Sequence, residues 1–159
     1  MWPWTAISID FMVGLPKSEG YTKIWVIVDR FSKMPHCIPQ KTEERIKKLA
    51  LTFVKEIWRL HGLPESIVSD RNTRFMTKFW KSLMQLLQVK LNMSTAFHPE
   101  SNGQTDRVNY TLEQYLRSYC TYHQDDWVSL LPFAEHANNT STSESMKASP
   151  FEINHRFAP

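Results

Sequence analysis

The sequence has no long apolar run: none approaches the roughly 18 residues of a membrane-spanning helix, and no signal-peptide pattern opens the chain. Cysteine is nearly absent. Cys37 and Cys120 are the only two, too few for a disulfide framework, so both are expected to be packed thiols in a reducing compartment. The six histidines are scattered singly and no Cys-x-x-Cys occurs, which excludes the commonest zinc spacings. Asn-x-Ser/Thr sequons stand at Asn92, Asn109, Asn138 and Asn139, but without a secretory signal they read as coincidence. There is no large excess of one charge either. A net charge of +3 and a pI near 8.9 permit a polyanionic partner without demanding one. Repeats and low-complexity tracts are also missing.

What is present is ordinary for a globular protein: 159 residues, 42% hydrophobic and 22% charged, enough for one domain with a real core. Residues 5–12 alternate, with Thr5, Ile7, Ile9 and Phe11 on one side and Ala6, Ser8, Asp10 and Met12 on the other. That predicts a strand, ended by Gly14-Leu15-Pro16. Lys23–Val28 is continuous enough for a central strand buried on both faces, and a third strand around Pro35–Pro39 would complete a meander.

The apolar period then becomes helical through Ile46, Leu49, Ala50, Phe53, Val54, Ile57 and Trp58, with Thr42 as expected N-cap and Gly62 past the end. Ile67-Val68-Ser69 reads as a short buried strand delivering Asp70. A helix capped by Thr77 and a fifth strand at Lys90–Met93 are expected next, followed by a polar loop over Thr95–Gln104. A long helix should run to about Tyr122, and another should start at Asp125, kinked or interrupted by Pro132. Asn138–Lys147 reads as a loop, and Ser149-Pro150-Phe151-Glu152 as a capping box opening a last short helix. Strands and helices in this order predict a mixed α/β sheet with helices on its faces.

Three acids draw attention. Asp10 and Asp70 stand at strand ends and Asp106 at a helix start, with the 35 residues from 71 to 105 between the last two. Such a trio suits two divalent metals about 3.5–4 Å apart that clamp the oxygens of a phosphoryl transfer. Each acid alone reads equally as a polar exit from the core or a turn residue. On a helical wheel Asp106 points away from the stripe of Val108, Leu112, Tyr115, Leu116, Tyr119 and Tyr122, beside Asn109, Tyr110, Glu113 and Arg117. That polar face suits metal and phosphate, and suits a solvated surface as well.

The stretches SIDFMVGLP, VIVDRFSKM, HGLPESIVSDRNTRF, HPESNGQTDRVNYTLEQYL and DDWVSLLPFAEHANN resemble the catalytic core of Ty3/gypsy-type retrotransposon integrases, from about Trp4 to Phe157. The resemblance implies a ribonuclease H-like fold with a five-stranded mixed sheet, its first and fourth strands adjacent, so that Asp10 lies beside Asp70. It implies a single core domain over residues 1–159. No His-His-Cys-Cys zinc module and no chromodomain-like tail are expected in the chain, as in an excised core or a truncated descendant.

The resemblance further implies a DNA 3′-end-processing and strand-transfer enzyme, nuclear, forming a homodimer or higher homo-oligomer. The Glu43–His61 helix and the helices after Tyr122 would serve in pairing. Mg²⁺ is the expected cofactor, with Mn²⁺ tolerated, held by Asp10, Asp70 and Asp106. His98, Asn102, Gln104, Arg107 and Arg117 are the expected DNA contacts, which position phosphate and sugar without reading sequence. Asp29 is expected to be structural, and Glu100 and Glu113 are poor substitutes as ligands. Asn72 stands where the family usually has Gly, a tolerable exchange if the backbone there needs φ > 0. The main departure is Asp106, where the family has Glu. An acid shorter by one methylene retracts its carboxylate by roughly 1.5 Å, which predicts activity much reduced or lost. The alternative is a catalytically silent core kept as a DNA-binding or dimerisation module. A ribonuclease H-type nuclease leaves the last two stretches unexplained.

Overall fold

The structure is a computed structural model that describes residues 2–87 and 125–159. The alternating run forms β1 (Ala6–Met12), antiparallel to β2 (Lys23–Asp29), which in turn pairs antiparallel with β3 (Pro35–Gln40). The short apolar run forms β4 (Ser66–Ser69), parallel to β1, so the sheet order is β3-β2-β1-β4. The first and fourth strands are therefore neighbours, as expected. The described residues hold these four strands; the fifth, expected at Lys90–Met93, and the long helix ending near Tyr122 lie outside them.

β2 is the spine of the sheet, and it is buried on both faces. Trp25 and Ile27 join Ile7, Ile9 and Ile67 in one core; Ile24, Val26 and Val28 join Met12 in the other. The first core is roofed by α1 (Ile46–Phe53) and α3 (Thr73–Leu87), where the rings of Trp25, Phe53 and Phe79 pack at centroid distances of 5.7–6.3 Å. Burial of each such side chain is worth about 1.5–3 kcal/mol. α1 passes through a π-helical turn, Val54–Trp58, into α2 (Arg59–His61), which ends at Gly62 with φ 81°. The second core is covered by α4 (Trp127–Thr140), whose Trp127 indole N–H donates to the Pro16 carbonyl at 2.6 Å. Cys37 is a free thiol packed against this core; burial, then the Glu135 charge, raises its pKa.

Several helix boundaries differ from expectation. Thr42 does not cap α1: its hydroxyl bonds that of Thr22 at 2.7 Å, and the N-cap position falls to Arg45, which makes no side-chain cap bond. α3 starts four residues before Thr77, because Asn72 Oδ1 accepts the Phe75 N–H at 2.8 Å and provides the cap. Asp125 is not the cap of α4 either; Asp126 holds that position, without a side-chain cap bond to the helix. The helix runs through Pro132 and on to Thr140, so the expected loop gives up its first residues, and Asn139 is buried with Nδ2 donating to the Pro35 carbonyl at 3.4 Å. The capping box at Ser149 is present, with both reciprocal bonds, and opens α5 (Pro150–His155).

Candidate active site

β1 and β4 run side by side in one direction, with Ile9 opposite Ser69. The next residue along each chain segment is an acid: Asp10, which is still inside β1 rather than at its end as expected, and Asp70, just past the end of β4. Neighbouring strands are about 4.8 Å apart, and the two acids follow the last β1–β4 pair, Ile9 and Ser69, towards the same end of the sheet. Asp10 is half-buried, pairs with Val26 across β1–β2, and accepts the Phe11 N–H on Oδ1 at 2.8 Å. Asp70 is exposed.

The turn that carries Asp70 is held from both sides. Arg71 N–H donates to Ser69 Oγ at 3.0 Å, and Asn72 caps α3 with its side chain while its carbonyl accepts the Met76 N–H at 3.2 Å. Asn72 has negative φ, so its value here is the cap and no left-handed backbone is involved. The Arg71 guanidinium rests on two rings, 4.9 Å from the centroid of Phe11 and 4.8 Å from that of Phe75. The Lys23 ammonium lies 4.7 Å from the Phe11 centroid. Burial and then the nearby Arg71 charge lower the Lys23 pKa, against a pull upward from Glu44. Each cation–ring contact is worth about 0.5–1 kcal/mol at an exposed site.

This cluster was not singled out from the sequence. The signal was there: Phe11 follows Asp10, Arg71 follows Asp70, and Arg71 and Phe75 are four residues apart at the entry to a helix.

Asp29 lies at the other end of β2. It is fully buried and accepts from the N–H groups of Trp4, Phe31 and Ser32 and from Ser32 Oγ, at 2.9, 3.2, 3.0 and 2.6 Å. Its oxygens are occupied in closing a turn. It is structural, as expected.

Asp106, Glu100, Glu113 and the expected DNA contacts His98, Asn102, Gln104, Arg107 and Arg117 lie outside the described residues. Among the described residues no group of three His, Cys, Asp or Glu side chains is placed to hold a metal. Asp10 and Asp70 offer two carboxylates, and hard oxygen donors of this kind fit Mg²⁺ or Mn²⁺ better than soft metals.

The family model for the integrase core domain matches residues 3–99. The Transposon Tf2-3 polyprotein of Schizosaccharomyces pombe is 32% identical over 157 residues, which is 99% of this chain and 12% of that protein. The chain thus spans about an eighth of the length of the curated relatives it matches. Among solved structures, the HTLV-2 integrase catalytic core domain in complex with magnesium, in its trimeric form, superposes with a TM-score of 0.70 at 18% identity, covering 98% of this chain and 99% of that one. A chain of the simian T-cell lymphotropic virus intasome in complex with the PP2A regulatory subunit B56 gamma gives a TM-score of 0.69 at 18% identity, covering 99% of this chain and 57% of that one. Both neighbours agree with the ribonuclease H-like sheet described above. The chain belongs to the integrase core domain family, with its sequence likeness on the side of the Ty3/gypsy-type transposons.

Proposed function

We propose that the chain is a polynucleotidyl transferase core that processes and joins DNA 3′ ends. The observation that carries this reading is the pair Asp10 and Asp70, following the last residue pair of two adjacent parallel strands. Asp106 would complete the set, from the helix expected there on the sequence. When bound, Mg²⁺ would lower the pKa of the attacking hydroxyl and neutralise the leaving oxygen. The chain's own part is to hold carboxylates at fixed spacing and to keep the DNA phosphate in line with its nucleophile. In the first step water attacks at a phosphodiester near the DNA 3′ end; in the second the freed 3′-hydroxyl attacks a target phosphodiester. Each step exchanges one P–O bond for another, with no covalent enzyme intermediate.

Asp106 in place of Glu supports a second reading, a silent core retained for binding. A misplacement of about 1 Å at a reacting centre costs on the order of 10²-fold, and Mg²⁺ holds strictly to octahedral geometry at about 2.0–2.1 Å. Strand transfer of a labelled duplex in Mg²⁺ and in Mn²⁺ separates the two. Product that disappears in Asp70→Asn supports the enzyme. A folded, DNA-binding wild type that is inert with both metals, and stays so as Asp106→Glu, supports the silent module.

The reading takes residues 1–159 as one core domain, acting in the nucleus where target DNA lies. It also takes the core to self-associate, supported by Leu51, Trp58 and Leu60, large apolar side chains exposed along the helical stretch 46–61. Sedimentation at tens of micromolar should give a dimer or larger species, and a monomer would remove this part of the reading.

A further inference from the structure

We propose that the outer face of α3, together with the start of α1, is a track for the backbone of duplex DNA, leading away from the Asp10–Asp70 end of the sheet. The proposal rests on the reading of the chain as a DNA-joining core. α3 begins three residues after Asp70 and contains no acidic residue from Thr73 to Leu87. Arg74, Lys78, Lys81 and Gln85 follow at spacings of four, three and four residues, so they form one row within about 60° of each other. The row lies opposite the buried side chains Met76, Phe79 and Leu83 and is about 16 Å long at 1.5 Å per residue. All four of its members are exposed.

At its far half the row borders a groove of about 620 Å³, whose other wall is the beginning of α1. Arg45, Lys47, Lys78 and Lys81 line this groove with Ser82 and Gln85, and no acid among the described residues lines it.

A solvated helix face is ordinarily of mixed sign, because acids three or four residues from a cation stabilise the helix. The adjoining stretch obeys that rule: Glu44 and Lys48 form an i,i+4 pair at 3.3 Å. The α3 row does the opposite. Arg74 and Lys78, then Lys78 and Lys81, set like charges at helical neighbour positions, which is unfavourable unless a polyanion neutralises them. A duplex carries about one charge per 1.7 Å of axis, so a straight row of about 16 Å can follow several phosphates of one strand. The chemistry is that of ionic backbone contact without base readout.

The test uses the full chain and a labelled random-sequence duplex of 30 base pairs, with EDTA present so that binding is separated from catalysis. Affinity by fluorescence anisotropy is measured across a salt series. Each phosphate contact contributes about 0.9 to the slope of log K against log salt. The combined variant Arg45→Gln, Lys47→Gln, Lys78→Gln and Lys81→Gln should lower that slope by about 3–4. A charge-matched control, Lys17→Gln, Lys55→Gln, Arg59→Gln and Arg156→Gln, should leave the slope within about one unit of wild type. Circular dichroism melts establish that both are folded. Equal loss in both variants, or no loss in the groove variant, overturns the proposal. So does a groove variant that loses binding to poly-glutamate but keeps its grip on the duplex, which would make the track a seat for an acidic protein. If strand transfer is absent from the wild type but the slopes change as stated, the enzymatic reading fails and the track stands.

Discussion

At the start of β1, Asp29 is sealed from solvent and takes four hydrogen bonds; towards the other end of the same strand, Asp10 is half-buried beside an exposed Asp70. The surroundings differ as much as the acids. Around Asp29 the Trp4 ring stacks on His61 at 3.9 Å, the Trp4 indole N–H donates to Asn154 Oδ1 at 2.9 Å, and Asn154 Nδ2 donates to Ser32 Oγ at 2.5 Å. His36 and His61 meet through Nε2 atoms 2.9 Å apart, and Glu135 accepts the Cys37 N–H at 2.6 Å. That end ties the sheet to α2, α4 and α5. At the opposite end the residues next to Asp10 and Asp70 in sequence take part in cation–ring contacts: Arg71 on Phe11 and Phe75, and Lys23 on Phe11. An acid at a strand end is therefore no sign of chemistry by itself. Depth of burial separates them here: Asp29 is sealed with three backbone N–H donors, whereas Asp10 is half-buried and Asp70 exposed.

The largest expected effect comes from breaking the sealed end. Asp29→Ala would leave three backbone N–H groups and one hydroxyl without their acceptor, at about 1–3 kcal/mol for each group that stays buried and unpaired. Urea unfolding should show a loss well above about 3 kcal/mol, or no folded protein. Asp70→Ala, at an exposed position, should fall within about 0.5 kcal/mol of wild type. Similar losses for the two would erase the distinction.

Next in size is Asp106→Glu, which lengthens the acid proposed as the third ligand and keeps its charge. Strand transfer or its reversal in Mg²⁺ should rise by an order of magnitude or more, given a cost on the order of 10²-fold for about 1 Å of misplacement. Mn²⁺ should partly rescue the wild type. An unchanged rate with both metals would remove the methylene as the cause.

Much of this contrast was legible in the sequence, and for physical reasons. The alternation of residues 5–12 and the unbroken apolar run of β2 are strong periodic signals, so those strands followed directly, whereas the adjacency of the first and fourth strands came from the family resemblance, and Asp10 lies inside β1 rather than at its end. The last helix start, the Ser149 capping box, was legible as well, but three others were not. Thr42, Thr77 and Asp125 are all good capping residue types, but a cap depends on which side chain reaches an open N–H, and that is decided by packing at the turn. Thr42 was taken by Thr22, and Asn72 reached Phe75 first. Pro132 was overridden in the same way, since α4 gains the burial of Trp127, Leu131 and Ala134 by continuing. The histidine pair joins residues 25 positions apart, and no local period announces it.

A smaller effect should appear in the pH dependence of stability. Burial, then the positive charge His36 carries when protonated, lowers the His61 pKa from 6.5 to about 4; Asp29 opposes this and His155 adds to it. Glu135 faces the far nitrogen of His36 at 3.6 Å. Because the unfolded chain takes up the His61 proton more readily, this contribution is complete above pH 6.5 and is lost as pH falls towards 4. His61→Phe keeps a ring against Trp4 and removes the titration, so stability should fall less steeply over that window. An identical slope in wild type and variant would assign the pH dependence elsewhere.

The smallest effect lies in the turn between β4 and α3, where two devices hold Asp70. The Asn72 cap is ordinary helix chemistry, and Asn72→Ala should cost about 1 kcal/mol. The Arg71 sandwich is weaker, since a cation over a ring at an exposed site is worth about 0.5–1 kcal/mol. Arg71→Lys keeps the charge but loses the flat guanidinium that lies on Phe11 and Phe75 together. It should cost about 0.5 kcal/mol in urea unfolding, near the lower edge of that range. Because Arg71 and Asn72 support one turn, the double variant should depart from additivity. A strictly additive pair would mean that the rings hold Arg71 without holding the turn, leaving the cap as the support of Asp70.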